Sequence, residues 1–149
     1  MASTQDAIAV LPQPYVTAAG LQDDTLRVAL DLTEEWNKVC STELVQGVVI
    51  ARKSFVNEHP EAIEQFLREY EKSSAFVNEN IDEAAKLIVD AGILGNVEIA
   101  KKAIPNCNIS FSKGEAMHKA VEGMLTVLFE ANPKSIGGKL PDKDFYYGI

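Results

Sequence analysis

The pattern of apolar residues changes once along this chain, and that change constrains the fold more than any other feature. Up to about Arg52 the apolar residues come in short runs punctuated by Pro and Gly; from Lys53 to Asn132 they recur at helical period. Ala7 to Leu11, ended by Pro12, reads as a buried strand. Leu26 to Leu30 alternates enough to form a second strand, and Leu44 to Ala51, β-branched and uncharged, a third. Between them, Pro14 to Ala19 reads as a short helix with Pro14 in its first turn and Gly20 as its stop. Thr33-Glu34-Glu35-Trp36 is close to a capping box. Strands alternating with helices predict α/β layering with some parallel pairing. Three such strands are few for a parallel sheet, so they want neighbours and covering helices.

The second part predicts helices in sequence. Ile63, Phe66, Leu67, Tyr70 and Val77 mark one face of a helix starting near Pro60. Asp82 opens another, with Ala84, Ala85, Leu87 and Ile88 on its apolar face and Gly92 as its stop. Val97 to Ile104 is a short helix ended by Pro105. A longer helix opening at Lys113 or Gly114 carries Met117, Val121, Met124, Leu125, Leu128 and Phe129, and Asn132-Pro133 ends it. The tail from Lys134 to Ile149 is expected to dock through Phe145, Tyr146 and Tyr147.

Composition narrows the function. The net charge is -8, which argues against nucleic acid as a partner, because phosphate binding needs clustered Lys and Arg. No run approaches the roughly 18–20 apolar residues of a membrane helix. Met1 to Asp6 has neither a basic region nor an apolar signal core. Cys40 and Cys107 lie far apart, outside any CxxC pair and away from His59 and His118, which leaves no metal site. They read either as free thiols or as a candidate disulfide closing a long loop.

Several segments carry a family resemblance. Asp6 to Thr17 (DAIAVLPQPYVT) resembles the "DAAVLPEPF" segment of solute-binding proteins of the nitrate, sulfonate, taurine and thiamine-precursor group. Leu26 to Trp36 resembles the strand and "DLTEEW" exit that follow there. Gly47 to Phe55, Asn57 to Ile63 and Asn78 to Ala85 resemble the return strand, an "ENPEAV" helix start and a "NENPEEAA" segment, and Gly137 to Tyr147 has its counterpart too. The resemblance implies an α/β, partial type II periplasmic-binding-protein fold: a short three-strand α/β segment followed by a mainly helical C-terminal part. Residues 1–46 would be the end of lobe two with the hinge approach. Residues 47–149 would be the return strand and the C-terminal helices of lobe one. It implies the C-terminal half of an ABC-importer solute-binding protein, periplasmic or extracytoplasmic in the parent. Its partners would be a small-molecule solute, the ABC permease, and the missing N-terminal half or a second copy of the chain. No cofactor and no covalent chemistry are implied.

The candidate ligand contacts begin at the turn Gln13-Pro14-Tyr15. A strand running into a helix N-terminus is where open α/β folds bind ligands, although the two prolines equally shape a tight turn. Gln13 offers an amide and Tyr15 a ring with a hydroxyl; relatives often carry Glu at the Gln13 position. Trp36 reads as a core anchor or a stacking platform. Thr42 and Glu43 precede the hinge strand and face either cleft or solvent. His59, at a helix start, and His118, among Glu115, Lys119 and Glu122, read as exposed. No catalytic cluster is legible, so the expectation is a binding protein and not an enzyme. The alternative is an enzyme on the same fold, such as a pyrimidine-precursor or menaquinone-pathway enzyme. A third is a free-standing, self-associating interaction domain.

Overall fold

The computed structural model describes residues 7–149. The sequence segment from Met1 to Asp6, considered for a signal and for the start of the resemblance, lies outside them. Among the described residues seven α-helices follow in order: α1 (Tyr15–Gln22), α2 (Leu32–Val39), α3 (Lys53–Glu58), α4 (Pro60–Glu79), α5 (Ile81–Asp90), α6 (Val97–Ala103) and α7 (Gly114–Ala131). Short 3-10 turns cover Ile104–Asn106, Pro133–Ile136 and Lys143–Phe145.

The α/β expectation is overturned. Among the described residues none belongs to a strand, and the architecture is all-helical. The three apolar segments do run without helix, but they enter no ladder. Their side chains stay in water: Ile8 is 96% exposed, Val28 68% and Ile50 80%. A strand is stable only when a second strand takes up its N–H and C=O groups and something covers its apolar face. With neither, β propensity alone does not make a sheet.

The helices follow local rules. The Asp31 carboxylate caps α2, accepting from Thr33 N at 2.8 Å and Glu34 N at 3.2 Å, so the cap sits two residues before the Thr33 predicted for it. Asn96 caps α6 in the same way. α5 ends in a Schellman motif: Gly92 has φ +71°, Gly92 N donates to Val89 O, and Ile93 N donates to Ile88 O. α1 runs through Gly20 to Gln22, because one helical glycine costs only about 1 kcal/mol.

The chain forms two compact units. One takes the described residues up to Arg27 together with Gln65–Ser110. Its core is the contact of α5 with α6, where Ala84, Ala85, Ala100 and Ile104 are buried and Phe76, Val77, Ile81 and Ile88 pack around them. Alanines at the contact let the two helix backbones approach closely. Asp82 and Lys101 pair across it at 2.8 Å. The second unit takes Val28–Glu64 and Phe111–Ile149. Its centre is α7. The chain leaves α7 at Asn132, whose carboxamide caps the following 3-10 turn, and Ser135 Oγ donates back to Leu128 O and Asn132 O. Gly137, at φ +83°, then reverses the chain. The tail returns along α7, bringing the Gly148 carbonyl beside Gly114 at its start.

Gly123 lets Thr42 press against α7. A Cβ added at Gly123 would lie 2.5 Å from Thr42 Cγ2 and 2.9 Å from Thr42 Cβ. Thr42 is itself held, since its carbonyl accepts from Trp36 Nε1 at 2.6 Å. Gly123→Ala would gain about 1 kcal/mol of helix propensity. Overpacking of about 1–3 kcal/mol opposes it. We predict a net loss of about 1 kcal/mol in urea unfolding, partly recovered by adding Thr42→Ser; a G123A variant more stable than the parent would contradict this packing.

Candidate active site

The second unit has one buried side chain among its described residues, and it belongs to the tail. Tyr146 is 7% exposed. Its ring meets the His118 ring edge-on, with centroids 4.4 Å apart, and meets Phe145 at 5.2 Å. Two contacts fasten the tail on either side of it. Lys53 Nζ pairs with Asp144 at 2.9 Å, and Tyr147 donates its hydroxyl to Glu64 Oε1 at 2.9 Å.

Under Tyr146, the His118 side chain is only 13% exposed. Its two ring nitrogens face two carboxylates from the same helix. Nδ1 lies 3.9 Å from Glu115 Oε1, one turn before, and Nε2 lies 3.7 Å from Glu122 Oε2, one turn after. Residues three and four apart share a helix face, so the Glu-x-x-His-x-x-x-Glu spacing builds this arrangement by itself. Both distances exceed a hydrogen bond, as is common before a reactant tightens a site. An imidazole flanked in this way can take up or release a proton with a carboxylate to stabilise its cation.

The Tyr146 hydroxyl is buried and has no hydrogen-bond partner. Leaving such a group unpaired costs about 1–3 kcal/mol. Burial, followed by the negative charge of Glu122, pushes the phenol above its ordinary value. Thr42 Oγ1 is a second buried hydroxyl without a partner.

A groove of about 520 Å³ opens beside this cluster, lined by Leu125, Leu128, Ile136 and Phe145 with Ser135 and Lys139 at its polar positions. That volume lies within the range of small-molecule sites. Phe145 belongs to both groove and cluster.

Of the residues expected to bind ligand, Gln13, Pro14 and Tyr15 lie in the first unit. Gln13 Oε1 accepts from Thr17 Oγ1 at 2.7 Å, Pro14 precedes α1, and Tyr15 is exposed. Trp36, Thr42 and Glu43 lie in the second. Trp36 and Thr42 are joined by the indole hydrogen bond, and Glu43 is exposed. Cys40 and Cys107 are both free thiols. Burial raises the Cys107 thiol above its ordinary value, which favours its protonated form. The His59 ring lies tilted against Phe55, with centroids 4.7 Å apart, and His59 is exposed. Among the described residues no three His, Cys, Asp or Glu side chains converge as metal ligands, and no helix is long and apolar enough to cross a membrane. His118 is the residue whose setting the sequence did not reveal. The signal was present in the Glu115 and Glu122 spacing, but a helix face carrying two glutamates and Lys119 reads as solvated.

The sequence model of a menaquinone-biosynthesis family matches residues 18–130, well over half of the chain. The chain belongs to that family. No curated protein and no solved structure matches it. The family finding overturns the identification with ABC-importer solute-binding proteins, and with it the transport function and the permease and solute partners. It also overturns the expectation that the chain is not an enzyme: the alternative, a menaquinone-pathway enzyme, is the reading that the finding favours. The resemblance rests on short strand, turn and helix-start segments, none diagnostic alone.

The direction of the Tyr146 shift fixes a pH dependence. A phenol raised above 10.0 stabilises the fold fully below pH 10 and loses that contribution as the pH rises through its folded value. Tyr147, raised first by its bond to Glu64, acts in the same sense. The urea midpoint is expected to fall as the pH climbs past 10, and Tyr146→Phe should flatten that fall. An unchanged slope in Y146F would show that Tyr146 is not buried as described.

Proposed function

We propose that this chain performs a proton-transfer step of menaquinone biosynthesis, with His118 as the general acid–base residue and Glu115 and Glu122 orienting it. One observation carries the reading: a largely buried imidazole with a carboxylate off each nitrogen, on a helix inside the stretch that matches the biosynthetic family. A histidine placed only for packing needs no carboxylate at either nitrogen. The neighbouring groove supports the same reading. Its apolar walls suit a ring-bearing small molecule, and Lys139 offers a cation to an anionic substituent.

In this reading the substrate's ring system lies along Leu125, Leu128 and Phe145. Neutral His118 takes a proton from the bound molecule, and the imidazolium is stabilised by whichever carboxylate faces its remaining N–H. The proton then returns to the product, or to water, from the same ring. General acid–base catalysis of this kind contributes about 10²–10⁴-fold in rate.

The test is menaquinone content in a host that depends on this protein for menaquinone. His118→Gln is expected to lower quinone content at least 100-fold, within that catalytic range, while the purified variant still unfolds cooperatively. Glu122→Gln should lower quinone content by less than H118Q, since Glu115 still faces the other ring nitrogen. Wild-type quinone content with H118Q would sink the assignment of His118.

A further inference from the structure

Tyr146 covers His118, and the groove stops short of both: its walls include Phe145 but neither of these two residues. As the tail lies, a molecule seated in the groove does not touch the imidazole. Yet the two places share one stripe of α7. His118 and the groove residue Leu125 are seven positions apart, which puts them on the same helix face about 10 Å apart along the axis. Tyr146 packs over the first and Phe145 lies at the second, so two successive tail residues separate imidazole from groove.

The anchorage of the tail is slight. Among the described residues, the backbone hydrogen bonds of the chain after Gly138 stay within it: Phe145 N donates to Asp142 O and Tyr146 N to Lys143 O. Side chains do the rest, through the exposed Lys53–Asp144 pair, the Tyr147–Glu64 hydrogen bond and the Tyr146 ring. At the root of the tail, Gly138 N is held by Pro133 O at 2.8 Å, so a swing falls on the dihedrals of Gly138. Gly138 sits at φ +88° with nothing within 4 Å of an added Cβ, and such a residue absorbs a hinge rotation without steric cost. The Tyr146 hydroxyl, buried without a partner, regains water when the tail lifts. The closed state thus carries a penalty that the open state lacks, and a penalty of this kind shifts a two-state balance by roughly 5–150-fold.

We infer that the tail from Lys139 to Ile149 is a lid, closed in this structure, that pivots at Gly138 and lifts Tyr146 to open the groove onto His118. The movement stands on the contacts of the tail alone; its purpose rests on the acid–base reading of His118. The unpaired hydroxyl keeps the lid poised, because it weakens the closed state without loosening the fit of the ring.

Diethyl pyrocarbonate, which acylates neutral imidazoles, measures the opening. The chain has two histidines, and the exposed His59 serves as the internal standard. In the purified full chain, at a pH well above the ordinary imidazole pKa, His118 is expected to react more slowly than His59, as read by peptide mass spectrometry. Tyr146→Phe keeps the ring contacts with His118 and Phe145 and removes the penalty. Y146F is therefore expected to slow His118 further, by roughly fivefold or more, with His59 unchanged. A His118 rate that Y146F leaves unchanged or raises would overturn the inference. So would a wild-type rate that climbs with urea as steeply as global unfolding, since the imidazole is then reached only by unfolding the unit. Quinone content with H118Q tests the reading beneath separately: wild-type content there removes the purpose of the lid and leaves its movement standing.

Discussion

A helix closes its backbone hydrogen bonds within itself, whereas a strand needs another strand to close them. That asymmetry organises this structure. Every element from α1 to α7 satisfies its own N–H and C=O groups, and caps such as Asp31 and Asn96 take up the groups left at the ends. The segments around Ile8, Val28 and Ile50 have the composition of strands and, among the described residues, no ladder to join, so they remain extended with their side chains in water. Burying an apolar side chain of that size is worth about 1.5–3 kcal/mol, so these segments leave a substantial stabilisation unused.

The candidate active site arises from the same economy of contacts in the second unit. A tail with little regular structure turns back at Gly137 and fastens itself through Lys53–Asp144 and Tyr147–Glu64. Both contacts are exposed, and surface pairs contribute about 0–1 kcal/mol each. The burial of Tyr146 contributes more than either, because an aromatic side chain removes about 150–250 Å² from water. What holds the tail in place is thus the same ring that covers His118. Any change that frees the tail uncovers the imidazole.

Membership of a menaquinone-biosynthesis family gives that geometry a context. A proton-transfer centre needs a titratable group shielded from bulk water, charges that stabilise its cation, and room for a substrate. His118, its two glutamates and the groove beside Phe145 lie within a single unit, and the proposed proton transfer draws on them. The residues first expected to bind ligand, Gln13 to Tyr15, lie in the other unit, and Gln13 is engaged by Thr17.

What the sequence determined by itself was the helical half. The apolar period placed α4 to α7, Gly92 and Pro105 marked stops, and the ring-rich tail was expected to dock. Each of these signals acts between residues a few positions apart, so it can be read without knowing the rest of the fold. The cap of α2 was misplaced by two residues: the Asp31 carboxylate takes the Thr33 and Glu34 amides, which puts Thr33 inside the helix. Only the tertiary structure decided the fate of the apolar segments and the exposure of His118. Pairing and burial depend on what lies across from a residue. For Val49 no strand of the described residues lies there, and for His118 it is Tyr146, brought back along α7 by a turn at Gly137.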